Sequence, residues 1–176
     1  MIRYKKAFYV LLIGLLMMSL IGCGDPSGVD TGAEPGSAKS EAQSSATGEA
    51  KKVAINEEFI INGLKITIGE VQVEKDCILI GMTIKNESSN KLSFFPDQGC
   101  VVVGDIQLEG NLFRTEGDIS GDFHPGVEKS GVAVFTVPEG KTLNPKEITE
   151  IVLHAGDVFN KATFAVEPFD ANLALK

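Results

Sequence analysis

The sequence is poor in the residues that most often carry out chemistry. Its 176 residues include no tryptophan, two histidines and three cysteines. That set leaves few ligands for a metal cluster and few partners for a nucleophile activated by a base. The glycines also fail to match the spacing of a Walker phosphate loop or a dinucleotide-binding turn. We therefore expect a protein that is not an enzyme and that needs no cofactor.

Positive charge is scarce outside the N-terminus. Arg3, Lys5 and Lys6 are the only charged residues among residues 1–22, and the rest of the chain holds 13 basic against 24 acidic residues, a net charge of −11. A body this acidic repels phosphate backbones, so nucleic acid is not an expected partner.

The N-terminus has the pattern of a secretory signal. The three basic residues precede an uncharged apolar run, Ala7–Ile21, which is followed by Gly22-Cys23-Gly24. A short basic region, an apolar region and small residues at a cleavage point are typical of a signal peptide. The 18 uncharged residues 7–24 are also close to the minimum for a membrane-spanning helix, so an uncleaved anchor is the alternative.

The segment Leu20-Ile21-Gly22-Cys23 resembles a bacterial lipobox. The resemblance implies that a diacylglyceryl group is joined to the sulfur of Cys23 and that the chain is cut before this residue. Two or more acyl chains, palmitate among them, hold a protein stably on a bilayer, whereas one chain does not. We expect a signal peptide over residues 1–22 and a protein lipid-anchored on the extracytoplasmic face of the cell membrane.

Residues 23–52 are predicted to form a flexible tether. Positions 24–52 include five Gly, five Ser and five Ala, and Val29 is the only large aliphatic residue among them. Such a segment buries too little apolar surface to offset its ordering entropy. As a coil it would span about 30 Å. The alternative, a helix around Ser40–Lys52, lacks an apolar stripe.

Residues 53–176 read as strands. Leu64, Ile66 and Ile68 share one parity and Val71 and Val73 the other, which predicts a bulge or bend at 69–70. Residues 77–84 are apolar on both parities, as in a central strand.

Turn signals separate seven to nine short segments of this kind, the last of which spans residues 162–166. The pattern predicts an all-β, antiparallel sandwich. A small closed barrel is the alternative.

Three stretches resemble the DUF4352 (telokin-like) family of secreted bacterial lipoproteins. They are residues 62–68 (NGLKITI), 83–88 (TIKNES) and 125–138 (PGVEKSGVAVFTVP). The resemblance spans residues 59–166 and implies an immunoglobulin-like sandwich. It implies no reaction, because the family has no agreed activity or catalytic residues.

Cys77 and Cys100 could form a disulfide outside the cytoplasm. Closing a loop of this length would contribute about 3 kcal/mol in the chain-entropy model. The alternative is two buried thiols that act as small apolar residues. Cys23 takes no part in either case, because the lipobox resemblance implies that its sulfur is alkylated.

An acidic loop offers candidate metal ligands. Glu116, Asp118, Asp122 and His124 lie within nine residues and could hold Ca²⁺ or a transition metal. The alternative is a solvated loop, since Asp and Gly are favoured in turns for conformational reasons.

His154, three residues before Asp157, is the remaining candidate base. No Ser–His–Asp spacing accompanies it, so a satisfied surface histidine is favoured over a catalytic one. The sequence therefore predicts a non-catalytic domain that binds an unidentified envelope or extracellular protein or ligand. An envelope metal-binding protein is one alternative, and an extracellular hydrolase is another.

Overall fold

The computed structural model describes residues 26–33 and 50–176. The predicted signal peptide, Cys23 and residues 34–49 of the predicted tether lie outside the described residues. Apart from two 3₁₀ turns, Pro26–Gly28 and Pro96–Gln98, the regular structure there is entirely strand. The strands are β1 (Lys51–Ile61), β2 (Leu64–Val73), β3 (Cys77–Asn86), β4 (Leu92–Phe94), β5 (Cys100–Val103), β6 (Ile106–Gly110), β7 (Glu116–Gly117), β8 (Gly121–Phe123), β9 (Glu128–Thr136), β10 (Glu150–Asn160) and β11 (Val166–Ala174).

Every strand pairs antiparallel with its neighbours. The hydrogen-bonded path runs β1-β2-β3-β9-β6-β5-β10-β4-β8, with β11 added to β10 and β7 added to β9. The ends of β1 and β11 come together through side chains, where Lys51 Nζ donates to the Leu175 carbonyl at 2.8 Å and Asn62 N donates to Glu167 at 2.9 Å. The hydrogen-bonded path stays open and does not close into a barrel. The predicted all-β, antiparallel immunoglobulin-like sandwich is therefore confirmed.

The alternating apolar residues of β2, β3 and β9 build the core. Ile78, Ile80, Met82 and Ile84 of β3 are fully buried in one large cluster that fills the sandwich. The opposite side of β3 is buried as well, as the apolar run on both parities predicted. There, Cys77 and Leu79 pack against Val132, Val134 and Val29 in a second, smaller cluster.

The change of parity in β2 is a bulge, as predicted. The pairing of β2 with β3 shifts register between Ile68 and Val71. The extra residue returns Val71 and Val73 to the inner face, so both parities supply buried side chains.

The prediction of a flexible tether over residues 23–52 is wrong for Lys51 and Lys52, which begin β1, and for residues 26–33. These residues lie across the outer face of β9, β3 and β2, with Val29 only 6% exposed. The Asp30 carbonyl accepts a hydrogen bond from Glu70 N at 2.9 Å, and the Thr31 carbonyl accepts one from Thr83 Oγ1 at 3.0 Å. Two buried residues, Pro26 and Val29, and three hydrogen bonds fix a segment whose composition is otherwise typical of disorder; the third bond runs from Lys52 Nζ to the Gly28 carbonyl at 2.9 Å.

Among the described residues, no helix is both long and apolar enough to cross a membrane.

Candidate functional site

Four chemistry-bearing side chains lie side by side on the outer face of the sandwich. Glu109 pairs with Cys100, Cys100 with His154, and His154 with Asp170, so one residue comes from each of β6, β5, β10 and β11. Directly opposed residues of an antiparallel pair point to the same face, with Cβ atoms about 4.5–5.5 Å apart. We call this set the Cys100 row.

The neighbours of the Cys100 row along each strand decide which way it faces. Val101 and Leu153 are fully buried in the core, so Cys100 and His154 point outward. Both are half-buried, while Glu109 and Asp170 are exposed. The row is therefore accessible to a ligand from outside the domain.

His154 is oriented by a carboxylate. Its Nδ1 lies 2.8 Å from Asp170 Oδ1. With the proton on Nδ1, this bond fixes the tautomer and leaves the lone pair of Nε2 free to bind a ligand, the arrangement that commonly orients metal-binding histidines. The side chains are 44% and 58% exposed, so the pair adds little to stability.

Cys100 carries a free thiol. Burial raises its pKa, and the negative charges of Glu109 and Asp170 raise it further. The thiol is therefore protonated at neutral pH and is a poor nucleophile. The Cys-His-Asp order is that of a catalytic triad, but these electrostatics work against nucleophilic catalysis. The two carboxylates would attract a cation, which must displace the thiol proton in order to bind the sulfur.

The structure contradicts the Cys77–Cys100 disulfide. Cys77 pairs with Thr136, Thr136 with Glu109, and Glu109 with Cys100, so two strands lie between the cysteines. Three strand spacings amount to about 14 Å, whereas a bridge needs Cα atoms within about 7 Å. Cys100 accordingly carries a free thiol and is not the partner of Cys77.

The predicted metal loop does not assemble. Asp118 forms an ion pair with Lys129 at 2.8 Å, Glu116 is exposed on the short strand β7 opposite Val132, and His124 is exposed. Over the described ranges, the one cluster of three potential ligands is Glu74, Asp76 and Cys77. The sulfur of that cluster is in a disulfide, so it offers no thiolate.

Asp122 is held by lysines instead of a metal. Lys161 and Lys91 each lie 2.6 Å from its carboxylate, and Ser93 Oγ donates to it at 2.6 Å. These hydrogen bonds, that of Lys161 first, hold the pKa of Asp122 well below its usual range. The ammonium groups of Lys91 and Lys161 already neutralise Asp122, which the predicted metal site needed as a ligand. The prediction of a metal site over residues 116–124 is therefore wrong.

The sequence interpretation missed Asp170 because it ended the last strand too early. That strand spans Val166–Ala174, whereas Phe164 lies in the preceding turn and is 76% exposed. The buried Phe169, Ala171 and Leu173 alternate with outward residues, a signal that could have placed Asp170 on the outer face.

Comparisons with known proteins assign no function. No model of a known protein family matches the chain, so the DUF4352 resemblance stays a prediction, and no curated protein matches it. A functionally unknown protein from Listeria monocytogenes EGD-e is similar, with 16% identity over 74% of this chain and 90% of that chain and a TM-score of 0.49. A conserved hypothetical protein from Bacillus anthracis is similar at 14% identity over 70% of this chain and 99% of that chain, with a TM-score of 0.45.

Proposed function

We propose that this protein is a lipoprotein anchored on the extracytoplasmic face of the cell membrane, where its sandwich acts as a non-catalytic binding domain. The observation that carries the proposal is the order of the N-terminal segments: basic residues, an uncharged apolar run, then Leu20-Ile21-Gly22-Cys23. That order matches a signal peptide with a lipidation site.

The packed segment 26–33 makes the proposed anchor short. Pro26 is buried against the sandwich and comes three residues after Cys23. Three residues span at most about 10 Å. A lipid on Cys23 would therefore hold the domain close to the bilayer, and not on a stalk of about 30 Å.

Binding is favoured over catalysis because the outer face offers ligands without an activated nucleophile. The free thiol in the Cys100 row has a raised pKa, which disfavours attack on a substrate. We therefore expect the ligand or partner to bind at the outer face of β5, β10 and β11.

Intact mass tests the anchor. We expect protein extracted from membranes with detergent to begin at Cys23 and to carry the added mass of acyl chains. Replacement of Cys23 by serine removes the sulfur that accepts the lipid, so this variant should carry no added acyl mass. A wild-type chain that starts at Met1 without added mass would overturn the proposal.

The same spectrum decides a competing use of the Cys23 sulfur. The chain has three cysteines and Cys100 is free, so a disulfide between Cys23 and Cys77 is the remaining alternative within one chain to lipidation of Cys23. One sulfur cannot hold both a thioether to lipid and a disulfide. A lipid thioether keeps its mass after reduction, whereas a disulfide to Cys77 yields two new alkylatable thiols.

A second candidate function, binding of a transition metal, is favoured by the geometry at Cys100. The free thiol lies opposite His154, whose ring is already oriented by Asp170. A thiolate and an imidazole suit Zn²⁺ or Co²⁺, and water can complete a tetrahedral shell.

Cobalt binding tests this second function. We expect Co²⁺ to produce thiolate-to-metal absorption in the wild type and none in Cys100→Ser. His154→Ala should bind Co²⁺ at least tenfold more weakly than the wild type. The matched control is His124→Ala, which removes the other histidine, exposed and away from the row. Absorption that is lost equally in both histidine variants, or absent at millimolar Co²⁺, would refute the metal site.

A further inference from the structure

A rigid apolar tip projects from the sandwich between β6 and β7. Phe113 is 100% exposed and Leu112 is 53% exposed. The turn beneath them is fixed, because Asn111 N donates to the Val134 carbonyl at 2.7 Å and Phe113 N donates to Asn111 Oδ1 at 3.2 Å. A fixed backbone that presents two adjacent large apolar side chains to water suggests an apolar partner.

The tip lies beside the point where the N-terminal segment meets the domain. The backbone of Val134 holds the residues on either side of the tip. Its carbonyl accepts a hydrogen bond from Asn111 N, and its N–H donates one to Thr115 Oγ1 at 3.3 Å. The side chain of the same Val134 packs in the cluster that contains Val29. The tip and the start of the packed segment therefore share one region of β9.

We infer that Leu112 and Phe113 insert into the boundary between headgroups and acyl chains of the bilayer that holds the lipid anchor. The inference rests on the proposed lipidation of Cys23, which would bring Pro26, and with it this region of β9, to within about 10 Å of the membrane. Aromatic and aliphatic side chains partition to that boundary.

Because the lipid anchor already holds the domain at the membrane, contact through two residues is sufficient for insertion of the tip. A free domain would gain little from burying one Phe and one Leu, but a tethered domain meets the membrane at a high effective concentration. The body of the protein carries a net charge of −11 after residue 22, so charge does not attract it to an anionic surface. Insertion of the tip is therefore expected to be insensitive to salt.

The absence of tryptophan from the chain provides a clean reporter. We would reconstitute full-length lipidated Phe113→Trp into phosphatidylcholine vesicles that contain brominated lipid. Insertion should shift the emission to the blue and quench it, with no change in 1 M NaCl. Phe113 is fully exposed, so the substitution leaves the core untouched.

Phe164→Trp is the matched control. Phe164 is 76% exposed in the turn after β10, where Lys161 N donates to the Lys91 carbonyl. The Ala165 carbonyl of that turn accepts a hydrogen bond from Asn62 Nδ2, just before β2, and the start of β2 pairs with Asn86 at the end of β3. Val134, which holds the tip, pairs instead with Leu79, seven residues from Asn86 along β3. The two reporters are thus separated by about 20 Å, and the control should keep the emission of water-exposed tryptophan without quenching.

The outcomes separate this inference from the proposed function. A lipidated protein in which both reporters emit alike overturns the insertion and leaves the anchor standing. A protein without lipid overturns both proposals. A blue shift of Phe113→Trp that requires an envelope protein and fails on vesicles alone would assign the tip to a protein partner and overturn insertion.

Discussion

Replacement of Asn86 by alanine is expected to lower the free energy of unfolding by about 3 kcal/mol or more. Asn86 ends β3 and is fully buried. Its Nδ2 donates to the carbonyls of Asn90 and Phe123, both at 2.8 Å, and so joins the loop after β3 to the end of β8. Alanine would leave the buried Phe123 carbonyl without this donor, which costs about 1–3 kcal/mol, while the Asn90 carbonyl would keep the bond from Ser88 Oγ at 3.0 Å.

The amide oxygen of Asn86 adds to this effect. Oδ1 accepts hydrogen bonds from Ser88 N at 2.9 Å and from Ser88 Oγ at 2.7 Å, which sets the turn over residues 87–90. One side chain therefore takes part in four hydrogen bonds that join the turn after β3 to β8, and alanine can replace none of them.

Urea unfolding of Asn86→Ala and Asn90→Ala provides the test. Asn90 lies in the same loop, but it contributes its carbonyl to the bonds described here, and the substitution keeps that group. We expect Asn90→Ala to stay within about 0.5 kcal/mol of the wild type, as is usual for a substitution outside the core. Equal midpoints for the two variants would show that the Asn86 bonds are not a major source of stability.

Local pattern was enough to predict the strands of the inner face. Period-two alternation put Leu64, Ile66 and Ile68 in the core, and the change of parity located the bulge before Val71. Both signals depend on the pleat of a single strand, and burial on one face fixes the register of that strand.

The Cys100 row could not be predicted from local pattern. Its members come from four strands spread over residues 100–170, and their alignment depends on which strands become neighbours. The sequence carries no direct record of that order, so His154 was matched with the nearby Asp157. A register shift between these two residues instead leaves His154 opposite Asp170.

The packed segment escaped prediction because its cause lies elsewhere in the chain. Composition correctly identified Val29 as the one large aliphatic residue of the predicted tether. The site that receives the segment is made by β2 and β3, where Gly69 and Gly81 let the backbone of Asp30 approach the sheet. Only the pairing of these strands brings the two glycines together beneath residue 30.

Replacement of Gly81 by alanine is expected to displace residues 26–33 and to lower the free energy of unfolding by about 2 kcal/mol, the scale for exposing one buried valine. A Cβ at Gly81 would lie well inside contact distance of the Asp30 carbonyl oxygen, and β3 is too firmly held on both sides to move. Hydrogen exchange gives the local readout, because Glu70 N donates to that same oxygen at 2.9 Å and should lose its protection.

Val29→Ala checks the result without a steric clash. It removes most of the buried side chain that holds the segment, so the Glu70 amide should again exchange faster. Val127→Ala, the same truncation at a position 37% exposed, should leave that amide protected. In the lipidated protein, Gly81→Ala should also weaken quenching of the Phe113→Trp reporter, because a released segment lengthens the tether. Unchanged Glu70 protection in both Gly81→Ala and Val29→Ala would contradict the packed segment and remove the argument for a short anchor.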